Sequence, residues 1–344
     1  MNNQNIEESK VLPTPTSIIG KHPLSATMER QVATARTTVE DILQGRDPRH
    51  LAIVGPCSIH NVEEAYDYAK GLKKIQNNVV DIFFIIMRVY CEKPRTTVGW
   101  KGLAYDPDLN ETNDIEKGLT QTRELLKKIN ALGLPCACEF LDTIMPQYFA
   151  DLVAWGAIGA RTTESQLHRQ LVSGLSMPVG FKNSTSGSVK CALYSVKSSS
   201  APHTFPGITV DGRPAVFKTT GNPNAHVVLR GGEGITNYDR VSIQAIKSEN
   251  PDVPIVVDCS HGNSLKDHTR QSAVLLDIAD NSMDLVRGIM IESNLAEGSQ
   301  QLRPRKRLRR GVSITDSCIS LEQTEALFEE ACERIRKLRV STPV

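Results

Sequence analysis

Side chains that could bind anions or metal ions recur at regular positions in this sequence. Eight apolar runs rich in β-branched residues lie between residues 51 and 293, and each ends at or just before a charged or metal-ligating side chain. Those side chains belong to Cys57, Arg88, Glu139, Arg161, Lys182, Arg230, His261 and Glu292. Because an unpaired charge beside a buried segment is energetically costly, the pattern indicates that these side chains meet ligands.

Six cations form the first group of candidate ligand-binding residues. They are Arg88, Lys93, Arg95, Arg161, Lys182 and Arg230. The arginine fork matches a carboxylate or a phosphate with two hydrogen bonds, and lysine acts as a point charge. Six converging cations therefore predict a ligand with several anionic groups, such as two phosphates and a carboxylate. The alternative is internal pairing with Glu139, Glu164 or Asp258, which would make Glu139 a structural partner and not a reactant.

A second group has the residue types of a metal site. Cys57, His261 and Glu292 follow the first, seventh and eighth apolar runs, and Asp316 lies shortly beyond the last run. One thiolate, one imidazole and two carboxylates suit Mn(II), Fe(II), Zn(II) or Co(II) better than Mg(II) or Ca(II), which prefer oxygen ligands. Taken singly, the cysteine is typical of a buried thiol and the histidine of a hydrogen-bonded ring. Their positions after neighbouring strands favour a metal site with an open coordination position.

The elements that would position these residues are strands alternating with helices. The eight apolar runs span residues 51–55, 82–87, 135–140, 157–160, 178–183, 226–232, 254–261 and 286–293. The stretches between them have helical periodicity, so the sequence predicts the α/β class and a (β/α)8 TIM barrel. In such barrels the active site lies at the C-terminal ends of the strands, which would bring all the candidate residues to one rim.

Three segments add to the predicted barrel. Residues 1–50 are expected to form an N-terminal arm and a helix over Ser25–Leu43, serving assembly or regulation, and the barrel is expected over 51–340. That helix would either plug the bottom of the barrel or contact another subunit. An Asp-Gly pair predicts a β-hairpin inserted at about 203–220. An amphipathic stretch from about Leu321 to Leu338 predicts the last helix.

Composition excludes several classes of protein. The chain has 344 residues and a formal net charge of +1, which argues against nucleic acid or an anionic membrane as partner. Its eight cysteines form no CxxC pair, which is typical of buried, reduced thiols. The N-terminus is polar and acidic, and no apolar stretch reaches the length of a membrane span. We therefore expect a cytoplasmic protein.

Seven motifs closely resemble type I 3-deoxy-D-arabino-heptulosonate-7-phosphate (DAHP) synthases. They are GPCSIH (55–60), MRVYCEKPRTTVGWKGL (87–103), GARTTESQLHRQ (159–170), PVGFKN (178–183), HVVLRGG (226–232), VDCSHGNS (257–264) and IMIESNLAEG (289–298). The resemblance covers about residues 10–335. It implies condensation of phosphoenolpyruvate with erythrose 4-phosphate and water, giving DAHP and phosphate, with a divalent metal ion as cofactor.

The resemblance also implies roles for individual residues. Metal binding is implied for Cys57, His261, Glu292 and Asp316. Contacts to phosphoenolpyruvate are implied for Arg88, Arg161, Lys182 and Arg230. Lys93, Pro94, Arg95 and Thr96 would span both substrates, with Arg95 facing the erythrose phosphate. Lys93, Lys182 and Glu139 are the candidate catalytic residues. Lys182 would transfer a proton and Glu139 would orient the water molecule.

Two departures from the family pattern lie near the last predicted ligand. Arg310 stands where a tyrosine is usual, and it could alter the packing that aims Asp316. This makes Asp316 the least secure of the four predicted ligands. The segment 303–310 is unusually basic. It is expected to be a solvated surface loop because the chain as a whole is nearly neutral, and the alternative is a patch that binds nucleic acid or anions.

Feedback inhibition by an aromatic amino acid and assembly into a homodimer or homotetramer are further implications of the resemblance. Several motifs look most like tyrosine-sensitive members of the family. The implied effector pocket would lie near Pro146, Gln147, Ser176 and the 203–220 insertion, together with the N-terminal arm of a neighbouring subunit. Two alternatives are a synthase for another aldose phosphate, such as arabinose 5-phosphate, and a catalytically dead barrel that senses amino acids.

Overall fold

Eight parallel strands close into a barrel in this computed structural model, which describes residues 2–341. The strands are β1 (His50–Gly55), β2 (Phe83–Arg88), β3 (Cys136–Glu139), β4 (Trp155–Ile158), β5 (Val179–Lys182), β8 (His226–Leu229), β9 (Ile255–Asp258) and β10 (Gly288–Asn294). Neighbours pair in this order, and β10 also pairs with β1, which closes the ring. The predicted (β/α)8 barrel is confirmed.

Helices fill most of the connections between the strands. They are α1 (Pro15–Lys21), α2 (Ala26–Leu43), α3 (Val62–Val79), α4 (Ile115–Ala131), α5 (Pro146–Phe149), α6 (Gln166–Gly174), α7 (Lys190–Ser199), α8 (Arg240–Glu249), α9 (Gln271–Asn281) and α10 (Leu321–Ser341). Side chains of Asn61, Ser165 and Asp239 accept hydrogen bonds from the first turns of α3, α6 and α8. These caps fix where the helices begin after the strand-end loops.

The barrel interior is a separate apolar core, and α2 closes its lower end. Val39, Ile42 and Leu43 of α2 belong to the same buried cluster as the inward-facing residues of the strands, including Ile53 and Trp155. Each fully buried aliphatic side chain contributes roughly 1.5–3 kcal/mol, so the plug is a substantial part of barrel stability. Of the two predicted roles for this helix, the structure shows the plug.

The inserted hairpin is also confirmed. Its strands β6 (Thr204–Ile208) and β7 (Pro214–Lys218) pair antiparallel, and Gly212 in the turn has a φ of 73°. Glycine adopts this left-handed conformation without steric cost. The tip of the hairpin is held by the N-terminal arm, because Thr16 N and Oγ1 each lie 2.8 Å from the carbonyl oxygen of Val210.

A short additional strand, β11 (Ile319–Ser320), pairs with the end of β10. Seven of the eight cysteines are buried as predicted, whereas Cys191 in α7 is partly exposed, and none forms a disulfide. Within residues 2–341, no helix combines the length and the apolar character that crossing a bilayer requires.

Candidate active site

A polar cavity of about 380 Å³ opens at the C-terminal ends of the barrel strands. The predicted site residues on its wall are Cys57, Arg88, Lys93, Pro94, Glu139, Arg161, Lys182, Arg230, His261, Glu292 and Asp316. Arg95 and Thr96 lie outside this wall. Thr96 is nevertheless tied to it, because its hydroxyl accepts a hydrogen bond of 3.1 Å from Arg161 Nε. The structure thus gathers residues that are up to 259 positions apart in the chain.

One corner of the cavity holds the predicted metal ligands. The thiol of Cys57 donates a hydrogen bond to Asp316 Oδ2 at 3.2 Å, and ligand atoms of Cys57, Glu292 and Asp316 lie within 4.8 Å of one another. His261 lies at the edge of this trio, with Nε2 3.7 Å from Glu292 Oε1. A thiolate and carboxylates at this spacing, beside an imidazole, fit a divalent transition-metal ion with bonds of about 2.0–2.3 Å.

The side chain of Lys93 reaches into the same corner. Its Nζ lies 2.9 Å from Cys57 Sγ and 3.0 Å from Asp316 Oδ2. The ammonium group holds the pKa of Asp316 well below its usual range. Burial, reinforced by the Glu292 carboxylate, raises the pKa of the Cys57 thiol to about 12. A metal ion bound to this sulfur must displace a proton, so metal affinity should rise with pH.

Glu292 is fixed on all sides. Its Oε1 accepts a hydrogen bond of 3.0 Å from Arg88, and its Oε2 accepts one of 3.0 Å from Ser260 Oγ. Its backbone is paired with the side-chain amide of Gln271. Arg88 is itself buried and lies over the ring of Tyr90, with 4.0 Å from the guanidinium carbon to the ring centroid. The carboxylate therefore has little freedom of orientation.

Asp258 connects the metal corner to the rest of the cavity. It is fully buried at the end of β9, and its Oδ2 lies 2.9 Å from both Lys182 Nζ and His261 Nδ1. Although burial opposes ionisation, the charges of His261 and Lys182 hold the pKa of Asp258 well below its usual range. The sequence identified Asp258 only as a possible ion-pair partner. The signal for more was its position three residues before His261, directly at a strand end.

Two other cations of the cavity wall, Arg161 and Arg230, form a candidate anion corner. In the part of the chain that the structure describes, Arg161 and Arg230 have no carboxylate within ion-pairing distance, in contrast to Arg88, Lys93 and Lys182. Burial, together with the charge of Arg161, lowers the pKa of Arg230. Two close guanidinium groups without an acidic partner need an anion from solution.

Glu139 lies in the wall between these corners. It is only 9% exposed, and it forms no ion pair among residues 2–339. A side chain at Gly159 would collide with the Glu139 carboxylate and displace it, so glycine leaves this carboxylate its present position. Among the described residues, neither Glu139 nor Glu164 lies within ion-pairing distance of a cation, so that suggested pairing is not found there, whereas the suggested pairing with Asp258 holds for Lys182.

Arg310, which could alter the packing that aims Asp316, pairs with Asp67 on α3. The segment that carries Asp316 is instead positioned by the hydroxyl of Thr315, which lies 2.7 Å from Ser58 Oγ.

A second cavity, of about 740 Å³, lies between the hairpin, α5 and the end of α6, and we call it the hairpin cavity. Pro146, Gln147 and Ser176, near which the resemblance implied an effector pocket, line this cavity, and so do Phe205 and Phe217 of the hairpin. None of its lining residues belongs to the polar cavity.

Comparison with known proteins agrees with this geometry. Residues 25–329 match the family model described as "DAHP synthetase I family". The chain is 47% identical over 339 residues to the Tyr-sensitive phospho-2-dehydro-3-deoxyheptonate aldolase of Escherichia coli, covering 96% of this chain and 95% of the relative. It is 44% identical over 350 residues to the Phe-sensitive enzyme of the same organism, covering 98% and 100%.

A solved structure extends the comparison to three dimensions. The phospho-2-dehydro-3-deoxyheptonate aldolase of Francisella tularensis superposes with a TM-score of 0.93 at 44% identity, covering 96% of this chain and 99% of that one. Sequence, fold and the gathering of charged residues at one barrel rim lead to the same conclusion: this chain belongs to the DAHP synthetase I family.

Proposed function

We propose that the chain condenses phosphoenolpyruvate with erythrose 4-phosphate and water, giving DAHP and inorganic phosphate, in a reaction that needs a divalent metal ion. The family carries out the first step of aromatic amino acid biosynthesis. The observation that carries the proposal is the pair of guanidiniums without acidic partners, Arg161 and Arg230, on the wall that also holds the cluster of thiol and carboxylates.

The anion corner suits phosphoenolpyruvate. This substrate carries a carboxylate and a phosphate on adjacent parts of a small molecule. Arg161 and Arg230 offer guanidinium forks to these groups, and Lys182 and Arg88 add positive charge from the cavity floor. Lys182 remains paired with Asp258, so its ammonium group is held at a fixed place. The KPRT segment, Lys93 to Thr96, extends from the metal corner toward the second phosphorylated substrate.

The metal corner suits the aldehyde of erythrose 4-phosphate. Cys57, His261, Glu292 and Asp316 would hold the ion, which supplies Lewis-acid polarisation of the aldehyde oxygen. C3 of phosphoenolpyruvate attacks the aldehyde carbon, whose oxygen becomes a hydroxyl by taking the proton lost from the water molecule that adds at C2. The resulting hemiketal phosphate forms the C2 ketone as the bond from C2 to the phosphate oxygen breaks, and the remaining hydroxyl proton leaves with the phosphate. We assign the orientation of the water molecule to Glu139 and the movement of a proton on the phosphoenolpyruvate side to Lys182.

The test is phosphate release by chelated and re-metallated protein. We expect release only when both substrates are present, with activity restored by Mn(II), Fe(II), Zn(II) or Co(II) far better than by Mg(II) or Ca(II). Arabinose 5-phosphate in place of erythrose 4-phosphate should give little turnover. Full metal occupancy without phosphate release would contradict the proposal and favour the sensing barrel, and a preference for arabinose 5-phosphate would favour the other aldose.

We further propose that an aromatic amino acid, with tyrosine first, binds in the hairpin cavity and inhibits the enzyme. Pro146, Gln147 and Ser176 line a space large enough for a tyrosine, next to two stacked phenylalanines whose ring centroids lie 6.1 Å apart. On the same wall, Arg36 adds positive charge for a carboxylate, although its Nε and Nη2 donate to the carbonyl oxygens of Val153 and Ala150. Asp151 adds negative charge for an ammonium group, although both of its oxygens accept from Arg123. Relatives with Tyr-sensitive and Phe-sensitive names support an aromatic effector.

Equilibrium dialysis with tyrosine, phenylalanine and tryptophan tests this assignment. We expect tyrosine to bind more tightly than the other two. Preference for phenylalanine or tryptophan would reject tyrosine, and no binding of any of the three would reject the effector site. The N-terminal arm, which contacts the hairpin tip through Thr16, is proposed to take part in a homodimer or homotetramer. Light scattering after size-exclusion chromatography measures that state.

A further inference from the structure

The basic loop formed by residues 303–310 has no part in the proposed chemistry. Six of its eight residues are cations, and all six are exposed. Among the residues that the structure describes, only Arg310 of this loop lies within ion-pairing distance of a carboxylate, on Asp67. The chain as a whole has a formal charge of only +1, so this loop is a local concentration of uncompensated positive charge.

The loop is fixed at the mouth of the polar cavity. Ser299, which precedes it, and Ser317, which follows it, both line the cavity, and their hydroxyls lie 2.8 Å apart. Gln300 ties the two stems together, because its side-chain amide nitrogen donates to the carbonyl oxygens of Arg309 at 2.8 Å and Val312 at 2.9 Å. These bonds prevent the loop from drifting away from the rim.

Individual charges of the loop reach the rim. The guanidinium of Arg309 lies 3.4 Å from the carbonyl oxygen of Ser299, on the cavity wall. At the other side, burial together with the positive charge of Arg305 lowers the pKa of His60 to about 4. His60 follows strand β1 shortly after Cys57, so the field of Arg305 is felt at the barrel rim itself.

We propose that this basic loop captures phosphorylated substrates electrostatically at the entrance of the active site. The inference rests on the proposed function, in which both substrates are phosphate esters. A solvated cluster of one sign raises the local concentration of oppositely charged ligands without contacting them in the bound state. The sequence led us to expect a solvated surface loop. The loop is solvated, and because it lies at the cavity entrance, its charge can attract anionic substrates there.

The test compares two triple variants with the same change in net charge. Arg305→Gln/Lys306→Gln/Arg307→Gln removes three loop cations whose side chains make no hydrogen bond or ion pair among the described residues. The matched control, Lys74→Gln/Lys128→Gln/Lys197→Gln, removes three exposed cations from α3, α4 and α7. Lys128 and Lys197 lie in the last turns of their helices, at the opposite end of the barrel from the site.

The measurement is kcat/KM for each substrate from about 10 mM to 1 M ionic strength, over which the screening length falls from about 30 Å to about 3 Å. For the loop variant we expect kcat/KM to be about three- to tenfold lower than wild type at low salt, with unchanged kcat. The difference should disappear at high salt. The kcat/KM of the matched control should stay within about twofold of the wild-type value at every salt concentration.

Each other outcome contradicts the proposal in a distinguishable way. Electrostatic capture would be rejected if the loop variant had the same kcat/KM as the matched control at every salt concentration. It would also be rejected if the loop variant had a lowered kcat that did not depend on salt. Loss of retention on immobilised nucleic acid, with kcat/KM unchanged, would show a docking surface for a macromolecular polyanion. If the wild-type protein shows no turnover, the proposed function itself is rejected, and with it the assignment of phosphoenolpyruvate and erythrose 4-phosphate as substrates.

Discussion

The polar cavity and the hairpin cavity lie on the same barrel but are built from different parts of it. The polar cavity is walled by residues that follow barrel strands, from Cys57 after β1 to Glu292 in β10. The hairpin cavity is walled by helix ends and by an insertion that no barrel needs for closure. If the two proposals hold, the repeated part of this fold carries the chemistry, whereas the added part carries its control. A change in one cavity should therefore leave the other largely intact.

Removing the thiol ligand should have the largest effect on the polar cavity. Cys57→Ala deletes one predicted metal ligand from the trio with Glu292 and Asp316. We expect at least about a thousandfold loss of kcat, because loss of a ligand should exceed the roughly 10–100-fold effect typical of residues behind the ligands. Metal content by mass spectrometry and phosphate release are the measurements.

The control for that variant is Cys191→Ala, at the one cysteine that is partly exposed and lies outside both cavities. It should bind metal and turn over like wild type. Tyrosine binding in the hairpin cavity should also survive Cys57→Ala. Retention of normal metal content and turnover by Cys57→Ala would remove the thiol from the proposed ligand set.

The next largest effect is expected at Asp258, which positions Lys182 and His261 with one carboxylate. Asp258→Asn keeps the size but removes the charge. We expect metal affinity to fall by about 10–100-fold, as is typical for residues that orient metal ligands. The KM for phosphoenolpyruvate should rise as well, because Lys182 loses its fixed partner. Titration with metal and steady-state kinetics measure the two effects separately.

A purely structural role for Asp258 would give a different result. In that case the variant would unfold at a lower temperature, but its folded fraction would bind metal normally. Asp239→Asn is a suitable comparison, because Asp239 caps α8 and takes no part in the site. Because asparagine caps a helix about as well as aspartate, this variant should change stability little and leave metal affinity at the wild-type value.

A bulky substitution can fill the hairpin cavity without changing the residues of the polar cavity. Ser176 is exposed on its wall, so Ser176→Trp should fill the space without disturbing the core. We expect tyrosine affinity to fall by about tenfold or more, since about 1.4 kcal/mol of lost contact corresponds to one factor of ten. Turnover without tyrosine should stay within about twofold of wild type. Ser248→Trp, on the exposed surface of α8, controls for the added ring.

Inhibition by tyrosine that persists in Ser176→Trp would place the effector elsewhere. If the variant lost turnover and tyrosine binding together, the two cavities would be coupled more tightly than their separate walls indicate. Either result would contradict the assignment of chemistry to the polar cavity and of independent control to the hairpin cavity.

The sequence predicted the polar cavity more completely than the hairpin cavity for a physical reason. Strand-end residues obey a rule of the fold, so Arg161 and Glu292 could be placed together although the chain separates them widely. Pro146, Gln147 and Ser176 obey no such rule, and only the family resemblance pointed to them. The plug formed by α2 was one of two open alternatives, because an apolar helix face does not reveal what it contacts.

Residues that act through others were the main omission in the polar cavity. In the sequence, Asp258 lies within an apolar run, which indicates only that it could pair with a cation. Its bridging of Lys182 and His261 depends on where two other strand ends place their side chains. Such a geometry cannot be obtained from spacing along one strand.

The smallest effect is expected at Arg310, where the family usually has tyrosine. Among the described residues, Arg310 forms its one ion pair with Asp67, at an exposed position, whereas Asp316 is held near Cys57 by other groups. Exposed ion pairs contribute little to stability, so Arg310→Tyr should leave the free energy of unfolding nearly unchanged. Turnover and metal affinity should stay within about twofold of wild type. A clear gain in metal affinity would show that the arginine disturbs the aim of Asp316, and the metal corner would then depend on the added loop as well as on the strands.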